Sequence, residues 1–197
     1  MLFLAPFVTA AFLVTAPAPP EKTPPPVAPG RPGVLVVVPT GRDRAGAGDS
    51  RSFLVEVEGG LRVDRHAFAA RVERILDDRR GWRRWGYRFR RADAGAVAFR
   101  ISLASPALTD RLCYPLQTNG IFSCYQSGRV VLNVARWKQG ATSYGSDLRR
   151  YRTYMVNHEV GHGLGYGHQW CSRPGARAPL MMQQTKGVSP CVPWPWP

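Results

Sequence analysis

The sequence predicts an α+β domain, on three observations. Apolar residues alternate with period two over Phe53, Val55 and Val57 and again over Val97, Phe99, Ile101 and Leu103, as strands with a buried face require. Phe68, Val72, Ile75 and Leu76 instead follow a helical spacing. A longer helical segment, about Ser146 to Leu164, sets Leu148, Tyr151, Met155 and His158 along one side. The order is strand, helix, two strands, hairpin, long helix and an irregular tail.

Along the chain, residues 1–20 carry no charged side chain and hold an apolar run from Leu2 to Val14 interrupted by Pro6. The run is too short for a membrane span and reads as a signal peptide or an uncleaved anchor. Residues 21–51 form a Pro/Gly-rich linker, with Pro24-Pro25-Pro26 favouring an extended spacer. The folded domain is expected over 52–197. Gly59-Gly60 ends its first strand, and Asp64 can accept a hydrogen bond from the first free amides of the helix that follows. Tyr87 to Arg91 and Val97 to Leu103 are the next strands. Ile121 to Tyr125 and Arg129 to Val134 flank Gln126-Ser127-Gly128, a hairpin signal.

The formal charge is +14 at pH 7, which argues for anionic surroundings and says nothing of the fold. A hydrophobic share of 44% excludes wholesale disorder. The arginines between Arg79 and Arg91 interleave with Trp82, Trp85, Tyr87 and Phe89. A solvated strand face with inward-packed aromatics accounts for this better than a nucleic-acid site, and contact with anionic cell-envelope material is a third reading. His66 reads as a surface histidine, and Trp194-Pro195-Trp196-Pro197 as a stiff tail packed on the domain.

The chemistry concentrates in His158-Glu159-Val160-Gly161-His162-Gly163-Leu164-Gly165-Tyr166-Gly167-His168. Residues four apart lie one above the other on a helix, so His158 and His162 can face one metal ion. Glu159 then sits beside the metal, placed as a general base toward water. Gly165 can end the helix abruptly, after which His168 can supply a third nitrogen. Three neutral imidazoles with one open position describe a catalytic zinc site rather than a closed structural one. Gly161 and Gly163 each cost about 1 kcal/mol against Ala within a helix, so packing or metal approach must favour them.

This run resembles the zinc signature of the metzincin clan of metallopeptidases. That resemblance implies a metzincin-like zincin fold, with a small mixed twisted sheet, a preceding helix, a long active-site helix and a disulfide-bracketed tail. It implies one catalytic Zn2+ held by His158, His162 and His168, with Glu159 as base for peptide hydrolysis. A methionine turn beneath the metal is implied in Pro179-Leu180-Met181-Met182, aligned on Met181 with Met182 as the fallback. The tail also resembles that of snapalysin-type small neutral proteases, which bracket this turn with a disulfide but carry Asp where His168 stands. From about Ser52 onward, including Met-Met-Gln-Gln-Thr-Lys-Gly, the chain resembles an actinobacterial family of exported metzincin-like domains.

Four cysteines allow three pairings. Cys113–Cys124 and Cys171–Cys191 are expected, because each closes a short loop within one structural unit. In this clan an extended substrate adds to the sheet edge preceding the active-site helix, here Gly120 to Tyr125. No Tyr follows Met182, so oxyanion support falls to the metal or to Tyr166, Gln183 or Gln184. The expectation is thus an exported, extracellular or envelope-associated, monomeric zinc metalloendopeptidase acting on polypeptides. The alternatives are a zinc-dependent amidase or peptidoglycan-processing hydrolase, and a non-enzymatic basic module with a structural metal site.

Overall fold

The computed structural model describes residues 30–41 and 50–197; the expected signal or anchor at 1–20 lies outside them. One mixed sheet organises the chain. Its strands are β1 (Leu35–Val37), β2 (Arg51–Glu58), β3 (Phe89–Arg91), β4 (Phe99–Ala104), β5 (Cys124–Gln126) and β6 (Arg129–Asn133). They run in the order β1-β2-β4-β6-β5, with β3 also paired to β2. The helices among the described residues are α1 (Arg65–Leu76), α2 (Pro106–Cys113), α3 (Val134–Gln139) and α4 (Leu148–Gly163).

The sheet begins upstream of the expected domain start. β1 lies inside the segment read as linker, and pairs antiparallel with β2 from Leu35↔Glu58 to Val37↔Glu56. Its signal is masked by flanking prolines and glycines, although Val36-Val37-Val38 is a β-branched apolar run. Two short helices were also absent from the sequence reading. Ser105 caps α2 by accepting from Leu108 N at 3.3 Å, with Pro106 in the first turn. Asn133 caps α3 by accepting from Ala135 N at 2.9 Å.

The two faces of the sheet differ. Phe53, Val55, Val57, Phe99, Ile101, Leu103, Val130 and Leu132 pack with α1 and α4 in the main core. The other face carries Glu56 and Glu58, which simple alternation would send to solvent but which are buried. Donors from neighbouring segments explain this, with Glu58 accepting from Gly33 N at 2.8 Å and from Ser105 N at 2.5 Å. α2 covers that face with Leu108, packed against Ala104 and Val131. Glu56 is satisfied by Ser102 Oγ at 2.8 Å and by the guanidinia of Arg100 and Arg129. A buried carboxylate needs such donors, because leaving it unpaired would be far costlier than any gain from packing.

The hairpin forms as expected, though its first strand is shorter. Ser127 and Gly128 have φ of 48° and 73°, the backbone that a two-residue turn between twisted strands demands. Residues 118–122 turn instead of extending, with Ile121 N and Phe122 N both donating to Thr118 O. Asp110 fixes that turn through Gly120 N (2.7 Å) and the Thr118 hydroxyl. Both expected disulfides are present, Cys113–Cys124 tying α2 to β5 and Cys171–Cys191 closing the tail. Two such bonds mark an oxidising environment. No helix among the described residues is long and apolar enough to cross a membrane.

The tryptophan–arginine stretch packs inward only in part. Trp82 is buried and donates from Nε1 to the α4 carbonyl of Asn157 at 3.1 Å, while Trp85 stays exposed. Arg80 pairs with Asp78 and Arg83 with Asp77, each at 2.8 Å. The tail is packed too, with Asn157 Nδ2 donating to Pro195 O at 3.1 Å and the Arg80 guanidinium 4.5 Å from the Trp196 ring centroid. His66 departs from its expected surface position. It is half-buried, and its Nε2 is enclosed without a hydrogen-bond partner.

Candidate metal centre

α4 starts where Asp147 accepts from Arg150 N at 2.9 Å and runs to Gly163. Its last turns carry His158, Glu159 and His162. The stop is a Schellman motif, in which Gly165 N donates to His162 O and Tyr166 N to Gly161 O, each at 3.0 Å. This geometry needs a left-handed residue after the cap, and Gly165 has φ of 93°. The chain therefore reverses at once and carries His168 back over the helix.

His158, His162 and His168 converge, with one ring nitrogen from each lying within 4.8 Å of the others. His162 Nε2 and His168 Nε2 are 3.2 Å apart. The remaining nitrogens of the helical pair are anchored. His158 Nδ1 donates to Leu180 O and His162 Nδ1 to Tyr166 O, both at 2.9 Å. A carbonyl can only accept, so each Nδ1 carries the hydrogen and each Nε2 keeps its lone pair for a cation. Burial, and then the neighbouring His162 and His168, push the His158 pKa down to about 3. His162 and His168 are lowered as well, chiefly by burial. Neutral imidazoles, two of them of fixed tautomer, fit a divalent metal ion, so the three can bind one.

Glu159 is 7% exposed and lines the same pocket. Burial alone pushes its pKa up to about 8. The pocket, of about 500 Å³, is walled by the three histidines, Glu159, Thr118 and the edge strand at Cys124 and Tyr125. β5 is the last strand of the sheet and pairs only with β6 among the described residues.

The residues beneath the site explain its glycines. Met181 is buried, and a Cβ on Gly161 would collide with Met181 Sδ and lie 2.8 Å from Trp82 Cζ2. A Cβ on Gly163 would lie 2.9 Å from the Tyr125 ring of the edge strand. Met181 rather than Met182 thus packs under the helix. Gly161→Ala is expected to lower the unfolding free energy by about 1–3 kcal/mol in urea titration, the usual cost of overpacking. Helix propensity alone gives the opposite sign, a gain of about 1 kcal/mol.

The oxyanion candidates separate. Gln183 lines the pocket. Tyr166 does not, because its hydroxyl meets Tyr87 Oη at 3.4 Å and its ring stacks on Trp82. Gln184 is fully buried and committed to structure, accepting from Tyr144 Oη and Trp194 N and donating to the Pro179 and Trp194 carbonyls. Sequence reasoning missed Tyr154, whose ring centroid is 5.1 Å from that of His158 and whose hydroxyl donates to Met182 O and accepts from Gln184 N. Its place one turn before His158 was the available signal. Lys186 and Phe122 at the pocket wall were missed too.

A family model described as Protein of unknown function (DUF3152) matches residues 27–191, a span that includes β1 and the whole His-rich run. No curated protein and no solved structure matches the chain.

Proposed function

The chain belongs to the DUF3152 family. We propose that it is an exported, zinc-dependent metallopeptidase. One observation carries this reading: three neutral imidazoles converge beside a carboxylate that none of them engages, in a pocket opening on a free strand edge. His158, His162 and His168 would hold the ion, and an all-imidazole set favours zinc over the harder divalent cations. When bound, the ion supplies Lewis acidity, polarising a carbonyl and acidifying water. Glu159 takes the proton of the attacking water and passes it to the departing amine nitrogen. The backbone of β5 would offer its unpaired edge to an extended polypeptide, and Gln183, which lines the pocket, would support the carbonyl oxygen. The two disulfides support an oxidising, extracellular destination.

The test combines metal content with cleavage. Purified protein is expected to carry one zinc per chain by elemental analysis, to cleave an unfolded protein substrate, and to stop when a chelator removes the ion. Hydrolysis of cell-wall fragments with no action on polypeptides would replace the peptidase reading by an amidase one. A zinc-loaded chain inert toward both would leave the ion a structural part.

A further inference from the structure

Away from the metal centre, basic side chains gather around a pocket of about 320 Å³ between α1, α3 and α4. Arg71 and Arg74 on α1, Lys138 at the end of α3 and Arg152 on α4 line it. None of the four has an ion pair among the described residues, whereas Arg80, Arg83, Arg91, Arg100 and Arg129 all do. The one acid in the lining, Asp64, spends Oδ1 on the cap of α1, accepting from Ala67 N at 2.9 Å.

The arrangement is costly as it stands. Arg71 and Arg74 are three apart on one helix, and Arg149 and Arg152 three apart on its neighbour. Like charges at that spacing repel. Burial first, and then the charges of Arg74 and Arg149, lower the Arg71 pKa, while burial and then Arg71 lower that of Arg152. Arg152 is nonetheless held in place, with Nε donating to Trp137 O at 2.7 Å and its guanidinium 5.0 Å from the Trp137 ring centroid. Guanidinium groups keep their charge under such crowding, and several forks converging on one cavity exceed what a single carboxylate can satisfy. A phosphate group offers enough acceptor oxygens for all of them.

We propose that this α1–α3–α4 pocket is an anion site for a phosphate-bearing ligand, separate from the metal centre. Arg71 and Arg74 approach the phosphate from one side, Arg152 from the other, and Lys138 closes the rim as a point charge. The chemistry is shared by soluble polyphosphates and by phospholipid headgroups.

The experiment uses the full chain at low ionic strength, titrated calorimetrically with inorganic pyrophosphate and, in parallel, sedimented with phosphatidylcholine vesicles with and without phosphatidylglycerol. Arg71→Ala/Arg74→Ala is the site variant. Neither side chain makes a hydrogen bond outside its own helix, so the fold is expected to persist, with an unchanged far-UV spectrum. Arg79→Ala/Arg84→Ala, which removes the same charge from exposed positions elsewhere, is the control. The site variant is expected to bind about tenfold or more weakly, the effect of losing a charge-assisted hydrogen bond, and to lose the pyrophosphate-induced rise in Tm. The control is expected to keep both. Stronger capture by phosphatidylglycerol vesicles than by pyrophosphate would assign the ligand as a headgroup, and the reverse as a soluble polyphosphate. Equal losses in the two variants would reduce the effect to net charge, and absence of binding to either probe would remove the site.

Discussion

Glu159→Gln is expected to leave the zinc content of the protein unchanged and to lower peptide cleavage by about 10²–10⁴-fold, the range attributed to a positioned general base. The side chain is not among the converging nitrogens, so a neutral isostere leaves the ion's holders intact. It faces the same pocket and has nothing but burial acting on its titration, so its carboxylate has no structural partner to lose. The change therefore separates base from ligand. Elemental analysis and a cleavage assay on the same sample check it, and a variant that retains both zinc and full activity would remove Glu159 from the mechanism.

The second large effect concerns stability against pH in the metal-free protein. His158 is ordinarily near 6.5 and is pushed down to about 3, mainly by burial. The folded state resists its protonation, so its contribution is complete above about pH 6.5 and is lost as pH falls toward 3. Glu159 moves the other way, from 4.5 to about 8 through burial. Its contribution is complete below about pH 4.5 and is lost as pH rises through 8. Between about pH 4.5 and 6.5 the two slopes oppose, so the metal-free chain is expected to show a plateau of Tm that falls on either side. In Glu159→Gln the alkaline fall disappears, and the variant is more stable than the wild type at pH 8 by a few kcal/mol, at about 1.4 kcal/mol per pH unit. Differential scanning calorimetry of both chains from pH 4 to 9, with chelator present, measures it. A difference between them that does not grow with pH would contradict a desolvated carboxylate.

Much of the site was legible because it is local. His158, Glu159 and His162 share one helix, and the relation among them follows from helical geometry alone. Gly165 announced the reversal because few other residues adopt the backbone it requires. The disulfide pairings were legible from short loop closure. What lay hidden depended on partners distant in sequence. Glu56 and Glu58 alternate like solvent-facing residues, and only partners distant in sequence satisfy them where they are buried: Arg100, Ser102 and Arg129 for Glu56, Gly33 N and Ser105 N for Glu58. β1 was hidden because three residues among prolines and glycines carry little pattern, and pairing with β2 decides their conformation. Gln184 and Tyr166 are sequence candidates for oxyanion support because no Tyr follows Met182. Their hydrogen bonds to Tyr144, Trp194 and Tyr87 show otherwise.

The basic residues make the same point. Their number is fixed by composition, and the densest run in sequence, Arg79 to Arg91, reads as a solvated strand face with inward-packed aromatics more readily than as an anion site. Ion pairs at Arg80, Arg83 and Arg91 and the buried Trp82 occupy part of that run, while Arg79, Arg84, Trp85 and Arg88 stay exposed. Crowded, unpaired guanidinia arise instead where α1 and α4 lie against each other, from two pairs of arginines far apart along the chain. Local spacing suffices for the α+β class, the histidine–glutamate constellation and the cysteine pairing, because each rests on a few turns of chain or a short loop. Tertiary structure alone decided which carboxylates are buried, which polar side chains are already committed and where positive charge is left unpaired. Those properties belong to surfaces brought together by packing, and no local spacing encodes them.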